Sequence, residues 1–185
     1  TLPGTQPGAR ERHYVVSGHY DSMPSNVMDP EAQAPGANDD ASGVAAVMEI
    51  ACAMAAHRFD ATLVFMAVAG EEQGLLGAAH WAEQARMKRL DIAGMITNDI
   101  IGSSTADDGA RNDRTVRLFA NGLPALLSAQ ASTDTETAQA ARQQIEAITR
   151  SGGEADTPSH QLGRYLKETG ERYLPGFSVD LISAP

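Results

Sequence analysis

A single cysteine, Cys52, occurs in the 185 residues, so neither an internal disulfide nor a cysteine-based zinc cluster is available. It follows an apolar run from Val44 to Ala51, and its expected setting is that of a small buried hydrophobe. Basic residues are also scarce: 14 Lys and Arg against 24 Asp and Glu leave a formal net charge of -10. Binding a phosphate backbone requires a basic surface that releases counterions, so nucleic acid is excluded as a partner. The same charge suits cations, whether metal ions or the ammonium end of a peptide. No apolar run approaches the roughly 20 residues that span a bilayer, so no membrane partner is expected. No secretory signal pattern is present, although the chain opens on Thr1 rather than methionine, which points to a true start elsewhere and leaves room for a removed signal peptide. Internal repeats and long linkers are missing too.

What is present is a globular composition, 42% hydrophobic, at a length that suits one α/β domain over residues 1–185. Residues 12–18 read as a strand, followed by a Pro/Gly/Asn/Asp-rich loop from Pro24 to Asp40. Ser42 is placed to cap a helix over 43–56, with Val44, Val47, Met48, Ala51 and Met54 as its apolar stripe. Ala61 to Ala69 is apolar without alternation, the pattern of a strand buried on both faces in a parallel sheet. A helix over about 77–89 and a strand over about 93–101 follow, then a polar loop over 103–114 and a short strand near 115–119. Thr133 and Glu136 fit a capping box for a helix to about 150. Thr157 and Pro158 open the next helix, with Gly170 expected past its end, and Phe177 to Ser183 reads as a strand. Alternating strands and helices predict a helix-covered, mostly parallel mixed sheet with right-handed crossovers.

His19 and Asp21 follow the first strand, Glu71 and Glu72 the second, and Asp99 ends the third; Asp39 and Asp40 precede the first helix. Ligand sites in open α/β sheets form outside the carboxyl ends of the strands, so these side chains converge on one edge. One imidazole among several carboxylates is a donor set for borderline or hard divalent ions, with zinc favoured by the histidine. The carboxylates repel one another, and a cation pair relieves that repulsion.

His19-Tyr20-Asp21-Ser22, Pro35 to Gly43 (PGANDDASG), Ala69 to Gly77 (AGEEQGLLG) and Asn98 to Gly102 (NDIIG) resemble, in order and spacing, the successive motifs of the M28 family of zinc peptidases. The resemblance covers residues 12–125 best and implies the three-layer sandwich of the zinc exopeptidases. It implies two zinc ions, with His19 and Asp99 on one, Glu72 on the other and Asp39 bridging them. Asp21 is implied to accept a hydrogen bond from the His19 ring, and Glu71 to be the general base. A cis peptide at Asp39-Asp40 is implied as well, with Gly36 and Gly43 letting the loop fold tightly around it. A fifth ligand, a histidine from a Gly-Asp-His or Ser-Asp-His motif, is expected beyond Pro185, so the second zinc site is incomplete within these residues. His160, in a first helical turn without that motif, is expected to face solvent.

The function implied is that of a zinc-dependent aminopeptidase acting on a peptide substrate, in a secreted or periplasmic location. Carboxypeptidases and glutaminyl cyclases resemble the same motifs; Asn38-Asp39-Asp40 favours the two-metal peptidases. From another class, a non-catalytic protein-binding module keeping the fold is the alternative, though retention of Glu71 and four ligands weighs against it. Outside the cluster the plain readings hold: His13 lies on a strand, His57 ends a helix, His80 lies beside Trp81, and Met48, Met54, Met66 and Met95 fill the core. Asp107-Asp108-Gly109 reads as a surface turn. Substrate pocket walls are expected from loops 103–114 and 120–132.

Overall fold

A computed structural model describes the chain except residues 27, 28, 30, 107, 122–129, 131, 152–155 and 185. The expected turn at Asp107 and most of the loop at 120–132 therefore lie outside the described residues. The chain forms two compact units, Thr1–Gly109 and Ala110–Pro185.

In the first unit, strands β1 (Arg12–His19), β2 (Thr62–Val68) and β3 (Asp91–Thr97) form a parallel sheet in the order β2-β1-β3. β1 pairs with β2 from His13↔Thr62 to His19↔Val68, and with β3 up to Ser17↔Thr97. Because the strands run parallel, with one register shift between β1 and β3 at His13/Tyr14, all three release the chain at the same edge. Val15, on the central strand β1, and Val64, its partner on β2, are both buried. β2 is not buried equally on its two faces: Thr62 and Val64 are buried, while Ala67 is exposed. An antiparallel bridge, Leu2↔Leu63, borders β2.

Helix α1 (Ala41–Ala55) packs on β1 and β2. Its N-cap is Asp40, not Ser42: the Asp40 side chain accepts from the Gly43 N–H at 2.8 Å. A carboxylate at N-cap satisfies a first-turn N–H that has no partner within the helix. Ser42 sits inside the first turn and donates instead to the Asn38 carbonyl at 2.7 Å. The helix start rests directly on β1, since a Cβ on Gly18 would lie 2.8 Å from the Gly43 carbonyl carbon.

This contact sets which way α1 faces, and two expectations fail there. Val47 is buried as the stripe requires, but Met48 is 63% exposed and Cys52 is exposed as well. α1 carries one charged residue, Glu49, so its apolar periodicity has little contrast and the Gly18–Gly43 approach decides the facing. Met95, expected in the core, is also exposed on β3.

Helix α2 (Leu76–Met87) follows the turn after β2 and starts on Leu75 in the left-handed conformation, with no side-chain cap. Loop carbonyls substitute for a cap: Leu76 and Gly77 donate to Gly70 and Ala69, each at 2.8 Å. The Glu71-Glu72 turn is thereby bound to the helix that follows it.

In the second unit, β4 (Thr115–Asn121) and β5 (Ser178–Ala184) pair in parallel from Thr115↔Ser178 onward. Helix α3 (Thr135–Ser151) begins with Asp134 accepting from the Thr137 N–H at 3.1 Å, so Asp134 rather than Thr133 caps it. Helix α4 (Pro158–Tyr173) has Thr157 as N-cap and Pro158 in its first turn, as expected. Gly170, in contrast, lies inside α4. α4 packs on β4 and β5, and a Cβ on Gly163 would come within 2.9 Å of Leu181 Cδ1. His160, one turn earlier on the same face, is 1% exposed, not solvent-facing, with Nδ1 3.1 Å from the Thr157 hydroxyl. Among the described residues no helix is long and apolar enough to cross a membrane.

Glu171 joins α4 to β5: its Oε1 accepts from Lys167 Nζ at 2.6 Å and from the Val179 N–H at 3.0 Å. These bonds hold its pKa below the ordinary glutamate value, the Lys167 bond contributing most. A lowered folded-state pKa stabilises the fold fully above the ordinary glutamate value, and the contribution disappears as pH falls through the lowered one. We expect the melting-temperature gap between wild type and Glu171→Gln to be constant at neutral pH and to close across that acidic window. A gap that stays constant through that window would show that the charge on Glu171 contributes no stability.

Candidate metal centre

Three chain exits meet at the carboxyl edge of the first sheet. His19 is the last residue of β1, 2% exposed, and its N–H donates to Asp40 Oδ2 at 3.0 Å. Asp40 is 1% exposed and thus binds two N–H groups, those of His19 and Gly43, fixing the strand end to the start of α1. The peptide bond between Asp39 and Asp40 is cis, as the motif resemblance implies.

His19 Nδ1 lies 3.1 Å from the main-chain oxygen of Asp21. A carbonyl only accepts, so Nδ1 carries the proton and, in the neutral ring, the Nε2 lone pair faces the site. The expected partner was the Asp21 carboxylate, but its Oδ1 is 3.6 Å away. That carboxylate is otherwise engaged, accepting from the N–H of Glu71 at 3.3 Å and of Glu72 at 3.2 Å. Asp21 therefore ties the end of β1 to the Glu71-Glu72 turn while its carbonyl orients the imidazole.

Around His19 Nε2 stand Asp39 Oδ1 at 3.1 Å, Glu71 Oε2 at 3.9 Å and Asp99 Oδ1 at 4.0 Å. Asp39 is the nearest of these, yet Nε2 is buried and makes no hydrogen bond. Glu72 is not among the carboxylates within 4.0 Å of the imidazole. Its side chain lies close enough to Asp39 and Glu71 for their charges to act on it. Asp99 lies two residues beyond β3 rather than within it, and Asn98 holds it there by donating its N–H to the Ser17 carbonyl at 2.8 Å.

The crowding of like charges appears in the acidities. Burial, then the charges of Asp39 and Asp40, hold the Asp99 carboxyl above the ordinary aspartate value. Burial, then Asp39 and Glu71, do the same to Glu72. For His19, burial favours the neutral ring, but the Asp21 carbonyl and the charges of Asp40, Glu71 and Asp99 outweigh it and raise its pKa. Asp21 goes the other way: burial raises it, yet the N–H groups of Glu71 and Glu72 hold it down.

Ligand atoms of His19, Asp40 and Asp99 lie within 4.8 Å of one another. Both oxygens of Asp40 already accept main-chain N–H groups, so a metal drawing on Asp40 would compete with the helix cap. Asp39, 48% exposed and nearer to Nε2, carries no such duty among the described contacts. The donor set fits a divalent ion: one imidazole lone pair in a buried position and several carboxylates within reach. The structure thus brings Asp39, Glu71 and Asp99 around the His19 Nε2, leaves Glu72 more than 4.0 Å from the imidazole but within the field of Asp39 and Glu71, and uses Asp21 as a brace. Sequence reasoning missed the structural duty of Asp40; its signal was an aspartate three residues before Gly43 at a helix start.

The sequence profile of peptidase family M28 matches residues 1–156. A protein of Pyricularia oryzae named "Probable zinc metalloprotease" is 45% identical over 172 residues, which span 93% of this chain and 32% of that protein. One from Leptosphaeria maculans with a similar name is 44% identical, over 93% of this chain and 37% of its own length. The chain therefore spans about a third of the length of these curated relatives. The crystal structure of LapA from Legionella superposes with a TM-score of 0.60 at 20% identity, covering 94% of this chain and 36% of LapA, a likeness of fold.

Proposed function

The chain belongs to peptidase family M28, and from that premise we propose that the full-length protein is a zinc-dependent exopeptidase, an aminopeptidase, with its reaction centre at the edge of the first sheet. The observation that carries this reading is His19 Nε2, buried and without a hydrogen-bond partner, facing Asp39, Glu71 and Asp99 at 3.1–4.0 Å. A buried imidazole lone pair with carboxylates within 4 Å is a donor set that a divalent cation would satisfy. The two relatives named zinc metalloproteases support zinc as that cation. On this reading His19, Asp39, Asp99 and Glu72 are the residues that would hold the zinc. Zinc bound there supplies a Lewis acid for the scissile carbonyl and makes the attacking water more acidic.

The remaining work falls to the protein's own groups. The Asp21 carbonyl holds the His19 ring with Nε2 facing inward. The Asp21 carboxylate holds the main chain of Glu71 and Glu72, so the two neighbouring side chains leave the turn in fixed directions. Glu71, 32% exposed, reaches the site from a partly open position, and Oε2 takes the proton of the attacking water. The water oxygen bonds to the carbonyl carbon, the C–N bond breaks, and Glu71 returns the proton to the leaving amine nitrogen. The acidic site also favours the ammonium group of an N-terminal substrate residue, which supports aminopeptidase over carboxypeptidase action.

The test is metal analysis of the full-length protein joined to hydrolysis of aminoacyl-anilides. We expect bound zinc, turnover lost on chelation, and recovery on adding zinc back. Bound zinc with hydrolysis only of substrates whose amino terminus is blocked would exclude the aminopeptidase. A protein that binds no divalent ion would instead be a binding module that keeps the fold.

A further inference from the structure

Asp39 and Asp99 reach His19 from different loops, and neither loop is rigid by its own secondary structure. The loop carrying Asp99 leaves β3 after Thr97 and passes through Ile100 in the left-handed conformation, φ +50°. That conformation is unfavourable for a β-branched residue and requires outside support. On one side of Asp99 the support comes from β1: the Asn98 N–H and its side-chain Nδ2 both donate to the Ser17 carbonyl, at 2.8 and 3.3 Å.

On the other side the support comes from the residues that flank Asp39-Asp40. Ser42 Oγ accepts from the Ile101 N–H at 3.1 Å while donating to the Asn38 carbonyl at 2.7 Å. Asn38 Oδ1 accepts from the Gly102 N–H at 2.8 Å. One loop thus offers two acceptors to two consecutive N–H groups of the other, and the Ser42 hydroxyl is itself oriented by the Asn38 carbonyl. The backbones meet closely: a Cβ on Gly102 would lie 2.7 Å from Ser42 Cβ and 3.1 Å from Asn38 Oδ1. Gly102 is needed for this approach, since any side chain there would push the loops apart.

We propose that Asn38 and Ser42 are positioning residues that clamp the 99–102 loop onto the 38–42 segment at the start of α1 and so set the distance at which Asp39 and Asp99 serve one metal centre. The inference rests on reading the edge of the first sheet as that centre. Neither side chain touches the imidazole in the structure; both act through the loop backbone. A ligand carboxylate displaced by a loop that swings loses most of its worth, because metal affinity depends on all donors arriving together.

The experiment uses the full-length protein stripped of metal, with Ser42→Ala and Asn38→Ala made separately. Three quantities are read: zinc affinity by competition with a chromophoric chelator, the visible absorption of the cobalt-substituted protein, and the melting temperature without metal. We expect zinc affinity to fall about 10- to 100-fold in each variant, as for other residues that orient metal ligands. The cobalt bands should change in position or intensity. A lower melting temperature with unchanged zinc affinity and an unchanged cobalt spectrum would overturn the proposal, leaving Asn38 and Ser42 as loop fasteners. Should Ser42→Ala fail to fold, Asn38→Ala, which leaves the Ser42 bonds to Asn38 O and Ile101 N in place, decides by the same readouts. If wild type takes up no zinc, the metal-centre reading itself fails, an outcome separable from failure of the clamp.

Discussion

Glu71→Gln is expected to lower kcat/KM of the zinc-loaded full-length protein about 10²- to 10⁴-fold, the range of a lost general base. Glutamine keeps the size and main chain of glutamate, so the N–H bond from residue 71 to Asp21 Oδ1, 3.3 Å in the structure, survives. What it loses is the carboxylate, 3.9 Å from His19 Nε2, that the proposed mechanism uses to take up a proton. Zinc content should be unchanged, because His19, Asp39, Glu72 and Asp99 all remain. Steady-state kinetics with metal analysis on the same preparation checks this. Undiminished turnover with metal in place would remove Glu71 from the base role, and simultaneous loss of metal would make it a ligand instead.

The second large effect is on stability. Asp40→Ala deletes a side chain that is 1% exposed and accepts from the N–H of His19 at 3.0 Å and of Gly43 at 2.8 Å. Leaving a buried N–H without a partner costs about 1–3 kcal/mol, so two should cost about 2–6 kcal/mol together. That is a large part of the stability of an ordinary domain. Asp40→Asn, which keeps one oxygen acceptor, should fall between alanine and wild type. Urea unfolding of the metal-free protein checks it, and an unshifted midpoint for Asp40→Ala would mean that solvent replaces both bonds. The matching substitution Asp39→Ala should leave the urea midpoint nearly unchanged, because that side chain is 48% exposed and carries no main-chain bond among the described contacts.

The contrast between these neighbours shows how far the sequence could be read. Asp39 and Asp40 are chemically identical, and both fell within the motif. Only the direction each side chain takes from the backbone separates an acidic group facing the imidazole from one buried under a strand end. Asp21 is similar: its place beside His19 was legible, but that its carbonyl rather than its carboxylate meets the ring depends on the path of the chain after β1. His160 looked like an exposed first-turn residue because nothing local says that α4 lies against β4 and β5 on that face. Met48 and Cys52 were misplaced for the opposite reason: α1 is apolar nearly all round, so the pattern could not state which side faces inward.

The sequence by itself determined the parallel strands and the convergence of His19, Asp39, Glu71, Glu72 and Asp99 on one edge. These depend on short-range patterns, apolar runs closed by turn residues, and on the rule that parallel strands release their chain on the same side. Tertiary structure alone decided that Asp40 caps α1 and binds the His19 N–H, that the Asp21 carboxylate holds the Glu71-Glu72 turn, and which hydroxyl and amide fasten the loops between them. Those choices turn on contacts between residues tens of positions apart, such as His19 with Asp40 and Ser42 with Ile101, formed only when separate strand ends are brought within hydrogen-bond reach.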